Sequence, residues 1–189
     1  MDINALRPSD CMAVTGHRSD KLGGYSEHAT EVLGKFAYNQ MLQYDTDLSV
    51  IIGCALGWDT AIGEAAIQQG HKLICCVPFE GFELKWPREA QMRLRKMLNA
   101  ASCVHVVSSS DKVRVLGYAR CLNLRNEFMV DRCGSVLALH SGANGGTANA
   151  VDYAQRQNIN VKNVWCSWLK YRDMYSQDAG SGVNWSGRK

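Results

Sequence analysis

No stretch of this 189-residue chain stays apolar for the roughly 18 to 20 residues that a membrane-spanning helix needs, so no transmembrane segment is expected. The opening residues MDINALRPSD lack the apolar core of a secretory leader, which makes the cytoplasm the expected location. None of the eight cysteines forms a C-x-x-C pair or stands beside a histidine at ligand spacing. They read as free thiols that fill the core, and neither a metal nor a cofactor is expected. The charge excess is small: a formal +3 argues against a nucleic-acid partner, although it does not oppose an anionic ligand. No serine or cysteine is recognisably grouped with a histidine and a carboxylate, so nothing supports a covalent nucleophile mechanism. With 46% hydrophobic and 21% charged residues, the composition is that of a globular chain long enough to bury a core unaided. One domain is expected over residues 1–175, followed by a glycine- and serine-rich mobile tail over residues 176–189.

What the chain does have is an alternation of short apolar runs and helical periodicities. The stretch Val50 to Ala66 opens with β-branched Val50, Ile51 and Ile52, turns through Gly53 to Gly57, and continues at helical spacing up to Gln69, where Gly70 ends the helix. Further strands are predicted at Cys11–Thr15, His71–Val77, Cys103–Val107, Ser135–Leu139 and Val161–Cys166. Helices are predicted from a Ser26 cap through Leu42, over Lys85–Ala101, over Val115–Asp131, and after Thr147. Strand and helix in alternation predict an α/β fold with a mostly parallel central sheet flanked by helices, and ligands of such sheets bind at the carboxyl ends of the strands.

Three glycine-bearing loops fall at those ends. The first carries Gly16, His17, Arg18, Lys21, Gly24 and Tyr25, in which cations and backbone donors together suit phosphate. The second carries Gly53, Ala55 and Gly57 and leads into a helix whose start favours an anion. The third carries Ser141, Gly142, Gly145, Gly146 and Thr147 and also enters a helix. Asp59 follows the second loop, where it either caps the helix or holds a ribose hydroxyl. Trp86 either stacks on a base or packs its loop onto the sheet.

The order of Thr15-Gly16-His17-Arg18, Lys21-Leu22-Gly23-Gly24-Tyr25, the segment Gly53 to Ala61, and Gly145-Gly146-Thr147 resembles the SLOG superfamily over roughly Met12 to Val164. That group includes the DNA-processing protein DprA, the Lonely Guy phosphoribohydrolases and the YpsA-like proteins, and the chain most resembles the YpsA-like branch and its phage-borne relatives. The resemblance implies a Rossmann-like three-layer fold, a nucleotide or nucleotide-derived ligand, and a homo-oligomer. It also singles out Arg125 and Asn126, because Lonely Guy enzymes carry an arginine in a segment similar to Arg125–Met129. Those enzymes place adjacent glutamates after the glycine-threonine loop, whereas this chain has Asn149 and Ala150 there. An amide and a methyl group cannot serve as acid or base, so catalysis falls to Asp59 or Glu64, with Asp152 as a further substitute. The expected function is binding of a nucleotide or nucleotide-derived signal, to sense or sequester it. The alternatives are N-glycosidase action on nucleoside monophosphates and, third, single-stranded DNA binding.

Overall fold

Residues 3–178 are described by the structure, a computed structural model. Six strands, β1 (Cys11–Gly16), β2 (Ser49–Ile52), β3 (Leu73–Val77), β4 (Cys103–Val106), β5 (Ser135–Leu139) and β6 (Asn160–Asn163), form one sheet in the order β4-β3-β2-β1-β5-β6. Every neighbouring pair is parallel. The inner strands β1, β2, β3 and β5 read as largely apolar runs because both faces of a parallel sheet are covered there, whereas the edge strands β4 and β6 are part-exposed. Met12, Val14, Ile52 and Cys75 face helices α1 (Glu27–Met41), α2 (Trp58–Gln69), α3 (Arg88–Ala100) and α7 (Trp165–Asp178). Their neighbours Cys11, Ala13, Ile51 and Cys76 face α5 (Tyr118–Val130) and α6 (Gly146–Arg156). The result is the α/β, Rossmann-like three-layer arrangement expected from the sequence. Six of the cysteines are buried within it as free thiols. Among the described residues, no helix is long and apolar enough to cross a membrane.

Local sequence signals account for most boundaries. Ser26 caps α1, its hydroxyl accepting from the Ala29 N–H at 3.1 Å, and Gly70 closes α2 in the left-handed region. Three expectations need correction. The helix predicted over Val115–Asp131 is divided at Gly117, whose φ of 78° no helix accommodates, into a short α4 (Ser110–Leu116) and α5. The helix after the Gly53 to Gly57 turn runs over Trp58–Gln69, with Asp59 in its first turn. The last strand ends at Asn163 rather than Cys166. There the Asn163 carboxamide oxygen accepts from the N–H groups of both His140 (3.1 Å) and Trp165 (3.2 Å), which turns the chain into α7. That helix occupies the start of the expected tail, since it runs through Asp178; residues 179–189 lie outside those described.

Chain order and sheet order part company at β1. From β1 the chain adds β2, β3 and β4 on one side, then returns to place β5 on the other. Connections leaving β1 and β5 therefore diverge to opposite faces and open a crevice at the carboxyl ends of these two strands, the usual ligand position in such sheets.

The α7 helix is anchored by Trp168, fully buried and 5.4 Å from the Phe36 ring of α1. Truncation of so large a buried side chain leaves a cavity. Trp168→Ala is therefore expected to lose about 3 to 5 kcal/mol of unfolding free energy in a urea titration. A loss under about 1 kcal/mol would show that α7 is an appendage rather than part of the core.

Candidate functional site

The loop after β2 is built around a carboxylate. Asp59, 4% exposed in the first turn of α2, reaches back so that its Oδ2 accepts from the backbone N–H groups of Gly53 (3.0 Å) and Ala55 (3.4 Å). The loop bends tightly enough that Cys54 takes a left-handed φ of 59°. Asp59 thus satisfies the loop backbone rather than acting as the helix N-cap, a position held by Gly57. Gly57 has a φ of 98°, and a Cβ there would lie 2.6 Å from the His17 carbonyl oxygen. The close approach lets the Trp58 N–H donate to that carbonyl at 3.2 Å, joining the β2 loop to the β1 loop.

Arg125 enters beneath this loop from α5. Its guanidinium lies flat against Gly53, where an added Cβ would stand 1.6 Å from Nη1. Only glycine leaves that space. Nη1 is 3.8 Å from Asp59 Oδ2, yet Nη1 and Nε are both buried with no hydrogen-bond partner among the described residues. Removing a guanidinium from water costs several kcal/mol, and one carboxylate at this separation does not satisfy it. Burial pushes the Asp59 carboxyl above its ordinary range, opposed by Arg125 and by the two loop N–H groups.

The remaining walls come from the other two loops and from α5. The chain after β5 passes through Gly145 into α6, and the Asn126 side chain donates to the Gly146 carbonyl at 3.1 Å, fixing the start of α6 against α5. Gly145, Gly146 and Thr147 line the cleft, with first-turn N–H groups that have no partner within the helix. Arg18 and Lys21 line it from the β1 side, together with Gly16 and Asp20. The cleft measures about 470 Å³, the size of a small-molecule pocket.

His17 holds two of these loops together. Its Nε2 accepts from the Ser141 N–H at 2.9 Å and lies 2.8 Å from Ser141 Oγ, so the ring is neutral with its proton on Nδ1. Burial lowers its pKa to about 4, helped by Lys21 and His140. The expectation of His17 as a cationic phosphate hand is therefore corrected: it borders the cleft as an uncharged brace. Ser141 is its partner in that brace.

Other expected residues lie elsewhere. Glu64 is held by Arg93 through two hydrogen bonds, at 2.9 and 2.6 Å, away from the cleft, because α2 turns that side chain toward α3. Trp86 packs edge-on against Phe82 with ring centres 5.2 Å apart and rests on the core, which corrects the base-stacking alternative in favour of the packing one. Tyr25 projects into solvent, and neither it nor Gly24 or Gly142 lines the cleft. Eight lining residues escaped the sequence reading as site residues: Ala119, Leu122, Asn123 and Asn149 on helices, and Thr15, Asp20, Ala143 and Asn144 at the strand ends and loops of β1 and β5. The first three, with Asn126, recur at steps of three, one and three on α5, the spacing of a single helix face, and that spacing was the available signal. Asn149 Oδ1 is buried without a hydrogen-bond partner among the described residues.

These geometries accompany clear likenesses to known proteins. The family model described as the YspA SLOG family matches residues 12–174. The uncharacterized SPbeta prophage-derived protein YoqJ of Bacillus subtilis (strain 168) is 27% identical over 128 residues, 62% of this chain and 75% of that protein. Among solved structures, DNA processing protein A (DprA) of Streptococcus pneumoniae superposes with a TM-score of 0.56 at 20% identity, over 96% of this chain. The chain spans 59% of the length of that protein. DNA processing protein A from Helicobacter pylori, whose structure was described for its single-stranded DNA binding mode, gives a TM-score of 0.55 at 12% identity, covering 91% of this chain and 82% of that one. At such identities the two structures share the fold with this chain.

Titration of the His17 brace has a measurable consequence. Between its unfolded pKa of 6.5 and its folded value of about 4, the unfolded chain binds a proton that the folded chain excludes. The stability is full above pH 6.5 and is lost as pH falls toward 4. By pH 5 the wild type should lose about 2 kcal/mol more than His17→Gln in paired urea titrations at pH 7 and pH 5. Parallel losses in the two proteins would mean that His17 is protonated without resistance.

Proposed function

The chain belongs to the YspA SLOG family, and from that premise we propose that it binds a nucleotide or nucleotide-derived ligand in the cleft between β1 and β5, sensing or sequestering it uncleaved. The observation that carries this reading is Arg125: a guanidinium 6% exposed, lining a cleft, with two buried N–H-bearing nitrogens unpartnered. Such a group is costly while it stays uncompleted, and a phosphate at the start of α6, in the same cleft, is the anion this reading sets against the guanidinium. Gly145, Gly146 and Thr147 add backbone donors, and Arg18 and Lys21 supply positive charge at the rim for a further anionic group. The carboxylate of Asp59 suits a ribose hydroxyl.

Binding without cleavage follows from what the cleft does with its acids. Release of a base from a ribosyl phosphate needs a group able to give or take a proton at the glycosidic bond. Asp59 is already engaged by two backbone N–H groups and faces Arg125, while Asn149 is an amide. The N-glycosidase alternative rests on one feature, the raised pKa of Asp59, which brings its acid form closer to neutral pH. For single-stranded DNA, the support is the fold shared with the Helicobacter pylori protein. Within the cleft, Arg18, Lys21 and Arg125 are set against Asp20 and Asp59, a weak positive excess for tracking a polyanion.

The purified protein incubated with nucleoside monophosphates, cyclic nucleotides and ADP-ribose-type nucleotides is expected to return one of them unchanged by mass, with no free base. Appearance of free base would replace the binding reading with the hydrolase. A Cβ at Gly146 meets nothing within 4 Å, so Gly146→Asp fits the fold while setting a negative charge at the start of α6. Gly146→Asp and Arg125→Ala should each reduce affinity at least tenfold in calorimetry while circular dichroism remains that of the folded chain. Undiminished affinity in both variants would put the ligand somewhere else.

A further inference from the structure

We infer that the strip between α3 and β4 is a docking surface for an acidic, amphipathic segment of a partner protein, a surface separate from the cleft between β1 and β5. Residues 85–96 carry five cations and one carboxylate, a net of +4, whereas the whole chain has a net of +3. The positive excess of the protein therefore lies in this one segment, and the remainder is slightly acidic. The exposed cations Arg7, Lys35, Arg114 and Arg120 each meet a carboxylate close by in the chain. On α3, Arg93 reaches Glu64 of α2 at 2.6 Å. Arg88, Arg95 and Lys96 have no carboxylate at salt-bridge distance among the described residues.

The pairing of Arg93 with α2 fixes how α3 is turned. Arg95 lies two residues, or about 200° of helix, beyond Arg93, so it points away from α2. Arg88 and Met92 precede it at steps of four and three and share its side of the helix. In the order β4-β3-β2 the side of α3 away from α2 is the side of the β4 edge. There β4 supplies a floor. Val104 and Val106 pair with Cys75 and Val77, which face α3, and so point to the same face of the sheet. Cys75 and Val77 are buried, whereas Val104 and Val106 are 45% and 41% exposed, because β4 is the edge strand and lies beyond the cover of α3. An apolar floor at the level of the sheet thus runs beside a helix wall bearing two guanidiniums and the half-exposed Met92, a side chain that adapts to apolar partners of differing shape.

The chemistry of the occupant follows from both halves of the strip. Carboxylates complement Arg88, Arg95 and Lys96, and apolar side chains on the same segment cover Val104, Val106 and Met92. A nucleic-acid strand matches the cations alone, because the strip has no aromatic side chain to stack a base; Trp86 is packed on Phe82. A bilayer surface is flat and does not reach side chains that lie a helix layer below Arg88 and Arg95.

The test selects a display library of random peptides of about 16 residues, some four turns of helix, on the immobilised full chain, and measures the enriched peptides by fluorescence polarisation. The enriched peptides are expected to be acidic with apolar residues on one face. Arg88→Glu combined with Arg95→Glu should weaken them about tenfold or more, and Val104→Ser severalfold, while circular dichroism remains that of the folded chain. Met92→Ala, on the helix wall, reports the apolar contact if Val104→Ser does not fold. Oligo(dT) and phosphatidylglycerol vesicles are titrated alongside. An unenriched library, or enriched peptides that bind the double variant as tightly as wild type, overturns the docking surface. Oligo(dT) or vesicles that bind wild type more tightly than any selected peptide, and lose that binding in the double variant, overturn it in favour of nucleic acid or membrane.

Discussion

A guanidinium laid against a glycine is the constraint from which the rest of this cleft follows. Arg125 is buried where Gly53 has no side chain, and among the described residues the carboxylate paired with it is Asp59, 3.8 Å away. Asp59 in turn is fixed because its Oδ2 closes the loop that Gly53 begins. Glycine, carboxylate and arginine therefore specify one another: a larger residue at 53 expels the arginine, and loss of the carboxylate leaves both the loop N–H groups and the guanidinium unmatched. A chain selected for stability alone replaces such a group with a packed apolar residue at no loss. Its presence at the floor of a cleft, incompletely hydrogen-bonded, is the kind of local conflict that marks a functional site.

Around that floor the walls are held by single polar contacts between distant segments. His17 joins the β1 and β5 loops through Ser141, the Trp58 N–H joins the β1 and β2 loops through the His17 carbonyl, and Asn126 joins α5 to α6. Each brace uses a neutral group. The arrangement keeps the cations of the cleft, Arg18 and Lys21, uncommitted to bracing and available to whatever enters, while the scaffold beneath them is set by hydrogen bonds that carry no net charge.

Much of this was legible in the sequence because the signals were local. Continuous runs such as Val50–Ile52 and Leu73–Val77 announce strands covered on both faces, Ser26 and Gly70 mark helix ends by their own chemistry, and glycines cluster where strands hand over to helices. What stayed hidden depends on partners far along the chain. Gly53 reads as a turn residue, yet what demands it is a side chain 72 positions later, at Arg125. His17 stands in a basic loop and reads as a cation until Ser141 is brought to its ring. Trp86 and Glu64 have the right residue types near the right loops, and only packing against Phe82 and pairing with Arg93 show that they point elsewhere. The α7 helix was missed because the side chain that anchors it, Trp168, meets its partner far away in the chain, in α1.

The pairing of β1 with β5 also sets when the cleft can exist. Met12 lies opposite Ser135, and the wall formed by the loop after β5 meets the β1 loop through this pairing across most of the chain. Such long-range closure comes late in folding, after the local strand and helix units have formed. A ribosome must therefore have released residues well past β5 before the wall formed by the loop after β5 can close on the β1 and β2 loops, and a chain interrupted between α5 and β5 has the β2 loop, its aspartate and the guanidinium but no third wall. The closed cleft is a property of the whole sheet rather than of any one segment of it.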